Sequence, residues 1–234
     1  MKAGEASLGE IMGVGGSIIR KGKRVIDVVT AVSLLVILSP VLVAAMSAIL
    51  VLEGRPIFYI SRRHVTVDRV VPIMKFRTMV RDAKSPKYDL HNRFMQDGYL
   101  DIPVSCEVYT GIGRLLEKSQ VVEVLQLLNV LFHGMSLIGN RPLPADNLKL
   151  LQKYPGWEER FTSPAGMTGI SQVVGKFNLC PVERLELERL YSKVYREGNV
   201  LKCDFEIIFF TIRLILAGKT ISIDYARKLL QSCL

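Results

Sequence analysis

The 234-residue chain is poor in the residues that build metal clusters and disulfide frameworks. Its three histidines (His64, His91, His133) and four cysteines (Cys106, Cys180, Cys203, Cys233) are scattered, without a CxxC pair or a zinc-type spacing. The plain reading is reduced, mostly buried thiols facing a cytosolic compartment. Cys233 stands one residue from the end, so no CaaX prenylation site exists. Acids are also scarce, 22 against 31 bases, which leaves a formal charge of +9. Such an excess suits nucleic acid or an anionic membrane surface. No helix-turn-helix, zinc finger or aromatic-basic platform supports the first, so nucleic acid is not an expected partner. Internal repeats are missing, and so are low-complexity tracts beyond a glycine-rich leader. The length fits one domain, or a modest domain plus an appendage.

What the chain has in quantity is apolar sequence, 49% of its residues. Val28 to Leu52 reads VVTAVSLLVILSPVLVAAMSAILVL, with no charge anywhere in it. At ~1.5 Å per residue it is long enough for a bilayer core of about 30 Å. It is too long and starts too late for a secretory signal. Basic residues flank both ends: Arg20, Lys21, Lys23 and Arg24 before, Arg55, Arg62 and Arg63 after. One straight crossing cannot put both clusters on the cytoplasmic side. Pro40, midway, removes a helix hydrogen bond, and Ser39 can bond a backbone carbonyl freed by that break. A helix-break-helix hairpin with its break at Ser39 and Pro40 satisfies these facts; a kinked transmembrane helix is the competing reading.

Downstream, PIFYISRRHVTVDRVVPIMKFRTM (Pro56–Met79) alternates like strands. Residues 80–110 read as a loop or loosely helical excursion. EKSQVVEVLQLLNVLFHG (Glu117–Gly134) reads as a helix of about four to five turns. MSLIGNRPLP is a short strand or turn, and residues 145–161 look helical with Trp157 on the apolar side. SPAGMTGISQVVGK is a loop leading into an extended piece, in which Gly166 and Gly169 fit a turn with close backbone approach, or a turn alone. Residues 181–198 form an amphipathic helix. DFEIIFFTIRLILAGK (Asp204–Lys219), with about ten to twelve apolar positions, is too short to span and suits an interfacial helix better than a core one. The organisation expected is a flexible or surface-lying leader (1–19), a membrane hairpin (20–55), a polar domain (56–220) and a C-terminal tail (221–234).

KRVIDVV before the apolar run, Ser39-Pro40, KFRTM, QLLNVL, MSLIGNRP and PAGMTGISQVVGK together resemble the bacterial sugar transferases, the monotopic phosphoglycosyl transferases. The resemblance covers roughly residues 21–218. It implies a mostly helical α+β fold: a re-entrant membrane helix, a small cytosolic catalytic-type domain and interfacial amphipathic helices. It also implies a bacterial inner (cytoplasmic) membrane location with the soluble domain on the cytoplasmic face. Family members transfer a phospho-sugar from a UDP-sugar to polyprenol phosphate with Mg²⁺, initiating a lipid-linked glycan for exopolysaccharide, capsule or glycoprotein. An Asp attacks the β-phosphate to form a covalent intermediate, and the adjacent Glu helps hold the metal. The implied partners are the UDP-sugar, polyprenol phosphate, membrane lipids, and either a second copy or another glycan-assembly enzyme. Lys75, Arg77 and Arg141 match positions expected near the donor's phosphates or uridine, where Arg forks onto oxygens and Lys acts as a point charge. Gln126 and Gln172 fall in the same motifs as substrate-binding positions.

One departure concerns the chemistry. Laid on the family motif (T/S)-S-x-D-E-L-P-Q-L-x-N-V without gaps, Glu123 keeps the metal-binding Glu, but Val122 occupies the nucleophile position and Leu125 the Pro position. RHVTVD (Arg63–Asp68) lacks the glycines of the family's R-V-G-x-x-G turn, and Phe132–Ser136 replaces R-G-D-M-S. Along this helix Ser119, Glu123, Gln126, Asn129 and His133 share a polar stripe about 120° wide, counting about 100° per residue. Val122 then falls about 60° from Ser119, inside that stripe. Valine cannot attack phosphorus. The chain is therefore an inactive relative that binds donor, lipid or a partner enzyme, or one that uses a substitute such as Glu123 or His133; a sequencing or engineered change at Val122 is the third reading, and the further departures nearby argue for natural drift instead.

Overall fold

The computed structural model describes residues 3–96, 98–175 and 178–234, with side chains from residue 18 onward. The first two residues of the leader and Lys176 of the PAGMTGISQVVGK motif lie outside these. The described chain is mostly helical with small two-stranded sheets, an α+β composition. It divides into two compact units. One gathers residues up to Thr30 with Ser136–Arg141 and Gly156–Leu234; the other comprises Ala31–Met135 and Pro142–Pro155.

Helix α1 (Ala3–Glu53) includes the stretch expected as a leader, since no proline interrupts it before Pro40. Its portion Ile18–Glu53 reaches a mean hydropathy of 2.7 and, among the described residues, is the one helix long and apolar enough to cross a membrane. Only 17% of its most apolar window is buried. At the expected break the backbone stays helical, with Pro40 inside α1. Proline deprives the carbonyl four residues back of its donor. That carbonyl belongs to Val36, and the Ser39 hydroxyl donates to it at 2.8 Å, so the ladder is repaired locally. Gly54, with φ +68°, then ends the helix, its N–H returning to the Leu50 carbonyl at 3.2 Å.

In the unit that follows, β1 (Phe58–His64) and β2 (Val70–Phe76) form the antiparallel hairpin suggested by their alternation, in register Phe58 to Phe76 and His64 to Val70. The excursion after it holds α2 (Leu90–Phe94) and the two-residue strands β3 (Met95–Gln96) and β4 (Tyr99–Leu100). The single helix expected over 117–134 is three pieces. Helix α3 (Gly111–Lys118) starts earlier, with the Thr110 side chain accepting from Gly113 N–H, and stops where Gln120 adopts φ +58°. A 3₁₀ run, Val121–Gln126, follows, and then α4 (Leu127–Phe132). Leu42, Ala45 and Ile49, one stripe of α1 at helical spacing, pack with Phe76, Leu116, Val122 and Leu125 into an apolar cluster. The helix expected over 145–161 is α5 (Ala145–Leu151) and, past Gly156, a separate 3₁₀ turn, Trp157–Thr162.

The other unit is built on β5 (Ser136–Ile138) and β6 (Gly166–Thr168), paired in parallel, with α6 (Ile170–Val174), α7 (Pro181–Glu197), α8 (Val200–Ala217) and α9 (Ile223–Gln231). The extended piece precedes α6, and residues expected as a tail carry α9, whose Ala226 and Leu230 are fully buried. Of the four thiols, three are buried and Cys180 is exposed, all of them free. Between the strands backbone meets backbone. A Cβ on Gly166 would lie 2.1 Å from Gly139 N, and one on Gly169 would lie 2.1 Å from Gly139 O. Neither glycine has the positive φ of a left-handed turn, so close approach is what each provides, and the group approached is the protein's own chain.

Two buried polar systems hold this unit. Arg160 pairs with Glu188 at 2.6 Å, and the Asn140 amide donates to the Arg160 and Glu188 carbonyls at 2.8 and 3.0 Å. Lys23 of α1 donates to Asp204 of α8 at 2.6 Å and to the Ile138 carbonyl at 3.1 Å. Asp27 accepts from the Ser136 hydroxyl at 2.6 Å and from Leu137 N–H at 3.2 Å. Tyr191 donates to Asp204 at 2.8 Å. Burial raises the Asp204 carboxyl above the ordinary aspartate value, with Lys23 and Tyr191 opposing.

Candidate functional site

Strand β2 and the 3₁₀ run lie against each other, and their contact sets the charge arrangement. Lys75, opposite Tyr59 in the hairpin register, places its ammonium 2.5 Å from Glu123 Oε1. Gln126, one turn further along the run and 2% exposed, donates its amide to Glu123 Oε2. The Lys75 and Glu123 side chains are 22% and 21% exposed, so the pair faces partly toward solvent. A 3₁₀ run turns by about 120° per residue, which sends neighbouring side chains to different faces. Val122 accordingly does not share the face of Glu123. It is 1% exposed within the Leu42–Phe76–Leu125 cluster.

The polar stripe expected on a single helix is corrected for the same reason. Ser119 is exposed and its hydroxyl donates to the Leu116 carbonyl; Asn129 is buried and its amide donates to the Pro72 carbonyl at 2.7 Å. His133 follows α4, its backbone N–H bonded to the Asn129 carbonyl at 3.0 Å. What the structure brings together is Lys75, Glu123 and Gln126.

Arg77 has a different occupation. Its guanidinium donates to the carbonyls of Pro56, Gly54 and Glu53 at 2.6, 2.9 and 3.2 Å, and its Nη2 lies 3.5 Å from the Glu53 carboxylate. A cation there meets the carbonyl end of α1, where orphan acceptors and the helix dipole favour positive charge. Sequence reasoning missed this role, although Gly54, just after the apolar run, marked the helix end that needs it. Arg141 and Gln172 belong to the other unit. The Arg141 carbonyl accepts from Arg160 Nη2 at 2.9 Å, while Gln172 accepts from the Ser171 hydroxyl at 3.0 Å.

The family model described as bacterial sugar transferase matches residues 18–218, most of the chain. This protein belongs to that family. The chain is 28% identical over 216 residues to an exopolysaccharide production protein ExoY of Sinorhizobium fredii, covering 87% of this chain and 88% of that one. It is 28% identical to an undecaprenyl-phosphate galactose phosphotransferase of Salmonella typhimurium, covering 83% of this chain and 40% of the relative. To a UDP-N-acetylgalactosamine-undecaprenyl-phosphate N-acetylgalactosaminephosphotransferase of Aeromonas hydrophila it is 29% identical, covering 84% and 44% respectively. The chain thus spans nearly all of the first relative and less than half of the other two. The two phosphotransferases are named for different sugars.

Glu123 is the carboxylate that would hold the divalent ion implied by the resemblance. Among the described residues no three His, Cys, Asp or Glu side chains group to hold a metal. Magnesium is usually carried by one or two carboxylates with substrate phosphates. Among the described residues Glu123 is the acid at this contact, with an ammonium on one oxygen and an amide on the other.

Proposed function

We propose that this sugar transferase family member binds the UDP-sugar and polyprenyl phosphate of lipid-linked glycan initiation at the cytoplasmic membrane, without forming the covalent phospho-sugar intermediate. It acts there as a non-catalytic binder or scaffold for an active glycan-assembly enzyme. The observation that carries this reading is Val122, sealed into an apolar cluster next to Glu123 in the chain. A carboxylate nucleophile divides phosphoryl-group transfer into two displacements; valine offers no lone pair for the first. The printed activities of the relatives supply the substrate classes. Lys75 and Gln126 of one unit are assigned to donor binding, with Arg77 acting through the α1 terminus; Arg141 and Gln172 of the other unit keep the same assignment by the resemblance alone.

In the same reading α1, helical through Pro40, bends at Ser39 and Pro40 so that both its ends face the cytoplasm, and the remainder of the chain stays on the cytoplasmic face. Basic residues on both flanks of the apolar run support it. So does α8, which is apolar on two sides. Cys203, Ile207 and Phe210 are buried, while Phe205, Phe209 and Leu216 are 72%, 56% and 81% exposed, the pattern of a helix lying in a membrane surface.

A second reading, active transfer by this chain, is favoured by the length of the family match. Transfer would break the donor's diphosphate bond, join the sugar phosphate to polyprenyl phosphate and release UMP. Purified protein in detergent, given undecaprenyl phosphate, Mg²⁺ and a panel of UDP-sugars, should release no UMP above background while still binding donor. UMP release that disappears in Glu123→Ala would replace the binding reading with the enzymatic one.

A further inference from the structure

We propose that the cavity between α8 and α9 seats the phosphate of an anionic phospholipid, with Arg213 as its cation. This rests on the reading of α8 as a helix lying in the membrane surface, and goes beyond it by naming the head group held there.

The cavity measures about 450 Å³, within the ~300–1,000 Å³ range of small-molecule sites. It lies where the chain leaves α8 at Gly218, with φ +65°, and returns as α9. Phe209, Phe210 and Tyr225 form its apolar wall, their rings meeting edge to face at 5.3 and 5.4 Å. Its side-chain polar groups are the Arg213 guanidinium and the hydroxyls of Thr220, Ser222 and Tyr225. Among the described residues Arg213 has no ion pair or hydrogen bond, so its donors are open to a ligand. The Ser222 oxygen accepts from Tyr225 N–H at 3.2 Å, which leaves its hydrogen to donate outward. A forked cation flanked by hydroxyls suits phosphate oxygens. No carboxylate among the described residues lines the cavity, so the ammonium of a zwitterionic head finds no partner there. Asp224, beside Tyr225 in the chain, is paired with Arg227 at 3.1 Å, and Glu206 lines a separate hollow together with Lys228.

The apolar surroundings select a lipid over a free anion. Phe209 belongs both to the cavity wall and to an exposed stripe of α8, Phe205, Phe209, Ile212 and Leu216, at helical spacing. A phosphate at Arg213 therefore has a path for its acyl chains along that stripe. Thr220, Ser222 and Tyr225 lie beyond residue 218, where the family match ends, so the seat is a feature of this chain and not of the matched region.

Native mass spectrometry of the full chain in nonionic detergent, titrated with dioleoyl phosphatidylglycerol or dioleoyl phosphatidylcholine, tests this. Phosphatidylglycerol should bind roughly tenfold more tightly, a step of ~1.4 kcal/mol. Arg213→Met, at an exposed position, should remove that preference, and Arg213→Lys should keep part of it. Lys228→Met, which alters the separate hollow, should leave it unchanged. Equal binding of the two lipids, indifference to Arg213→Met, or an equal loss in Lys228→Met each overturns the inference. Displacement of phosphatidylglycerol by millimolar inorganic phosphate assigns the cavity to the free anion and overturns its lipid occupant. A spin label at Phe205→Cys, in a Cys180→Ser background and phosphatidylcholine vesicles, separates the two readings. A label at acyl-chain depth without any head-group preference overturns this inference alone. A label in water overturns the membrane-surface reading of α8 and this inference together.

Discussion

Lys23 and Asp204 stand 181 positions apart in sequence, yet the ammonium of one lies 2.6 Å from the carboxylate of the other, away from water. Asp27 is 3.6 Å from the same ammonium. One cation therefore balances two buried acids, an arrangement in which the partners differ in what their removal costs. Replacing Lys23 with Met should destabilise the fold by about 3–5 kcal/mol, because two carboxylates are left buried without a counter-charge. Thermal unfolding in detergent would measure it.

The pH dependence of Asp204 follows from its direction of shift. Its folded carboxyl titrates above the ordinary value of 3.8, with burial as the main cause. Between 3.8 and that raised value the folded state binds more protons than the unfolded state. The contribution of this group to stability therefore declines as pH rises through the window. Asp204→Asn should remove that decline, so the gap in melting temperature between variant and wild type should change sign or narrow across it. A gap constant with pH would refute the assignment.

Val122→Asp would place a carboxylate in the Leu42–Phe76–Leu125 cluster. The loss of apolar packing and the burial of a charge should cost roughly 4 kcal/mol or more at neutral pH. The deficit relative to wild type should shrink in acid, where the new side chain is neutral. Parallel melts at two pH values are the check.

Gly166→Ala should cost about 1–3 kcal/mol or more, since the added methyl overlaps the Gly139 backbone. The loss should appear as early hydrogen exchange at β5 and β6, whose pairing must open to admit it. Gly111→Ala, where nothing lies within 4 Å of the added carbon, is the matched control.

Much of the architecture was legible where a long pattern announced it. The uncharged run in α1, the alternation of β1 and β2, and the amphipathic period of α7 needed no partner to be recognised. The stretch from Glu117 to Gly134 was misread because its break hangs on a single left-handed residue, Gln120, with neither glycine nor proline to mark it. Its apolar composition suits α and 3₁₀ turns equally. The residues of α9 passed for a tail, although Ser222 marks its start by accepting from Tyr225 N–H.

At the site, Glu123 was visible as a lone acid, but its partner sits 48 positions upstream. Lys75 was singled out for phosphate and never for Glu123, since sequence spacing carries no information about which strand lies under which turn. Val122 was assigned to the polar side for the same reason: a wheel drawn at the wrong pitch puts the right residues on the wrong face.

The bonds of Arg77 to the carbonyls of Glu53, Gly54 and Pro56 bear on how a mutational survey of this family member would be interpreted. An alanine at Arg77 would be scored alongside Lys75 as a lost phosphate contact if donor affinity were the only readout. Its first effect would instead fall on how the chain leaves the lipid, measured by protease accessibility or extraction from membranes. Two cations from the same KFRTM stretch would then give similar phenotypes for unrelated reasons, one at the ligand and one at the membrane exit.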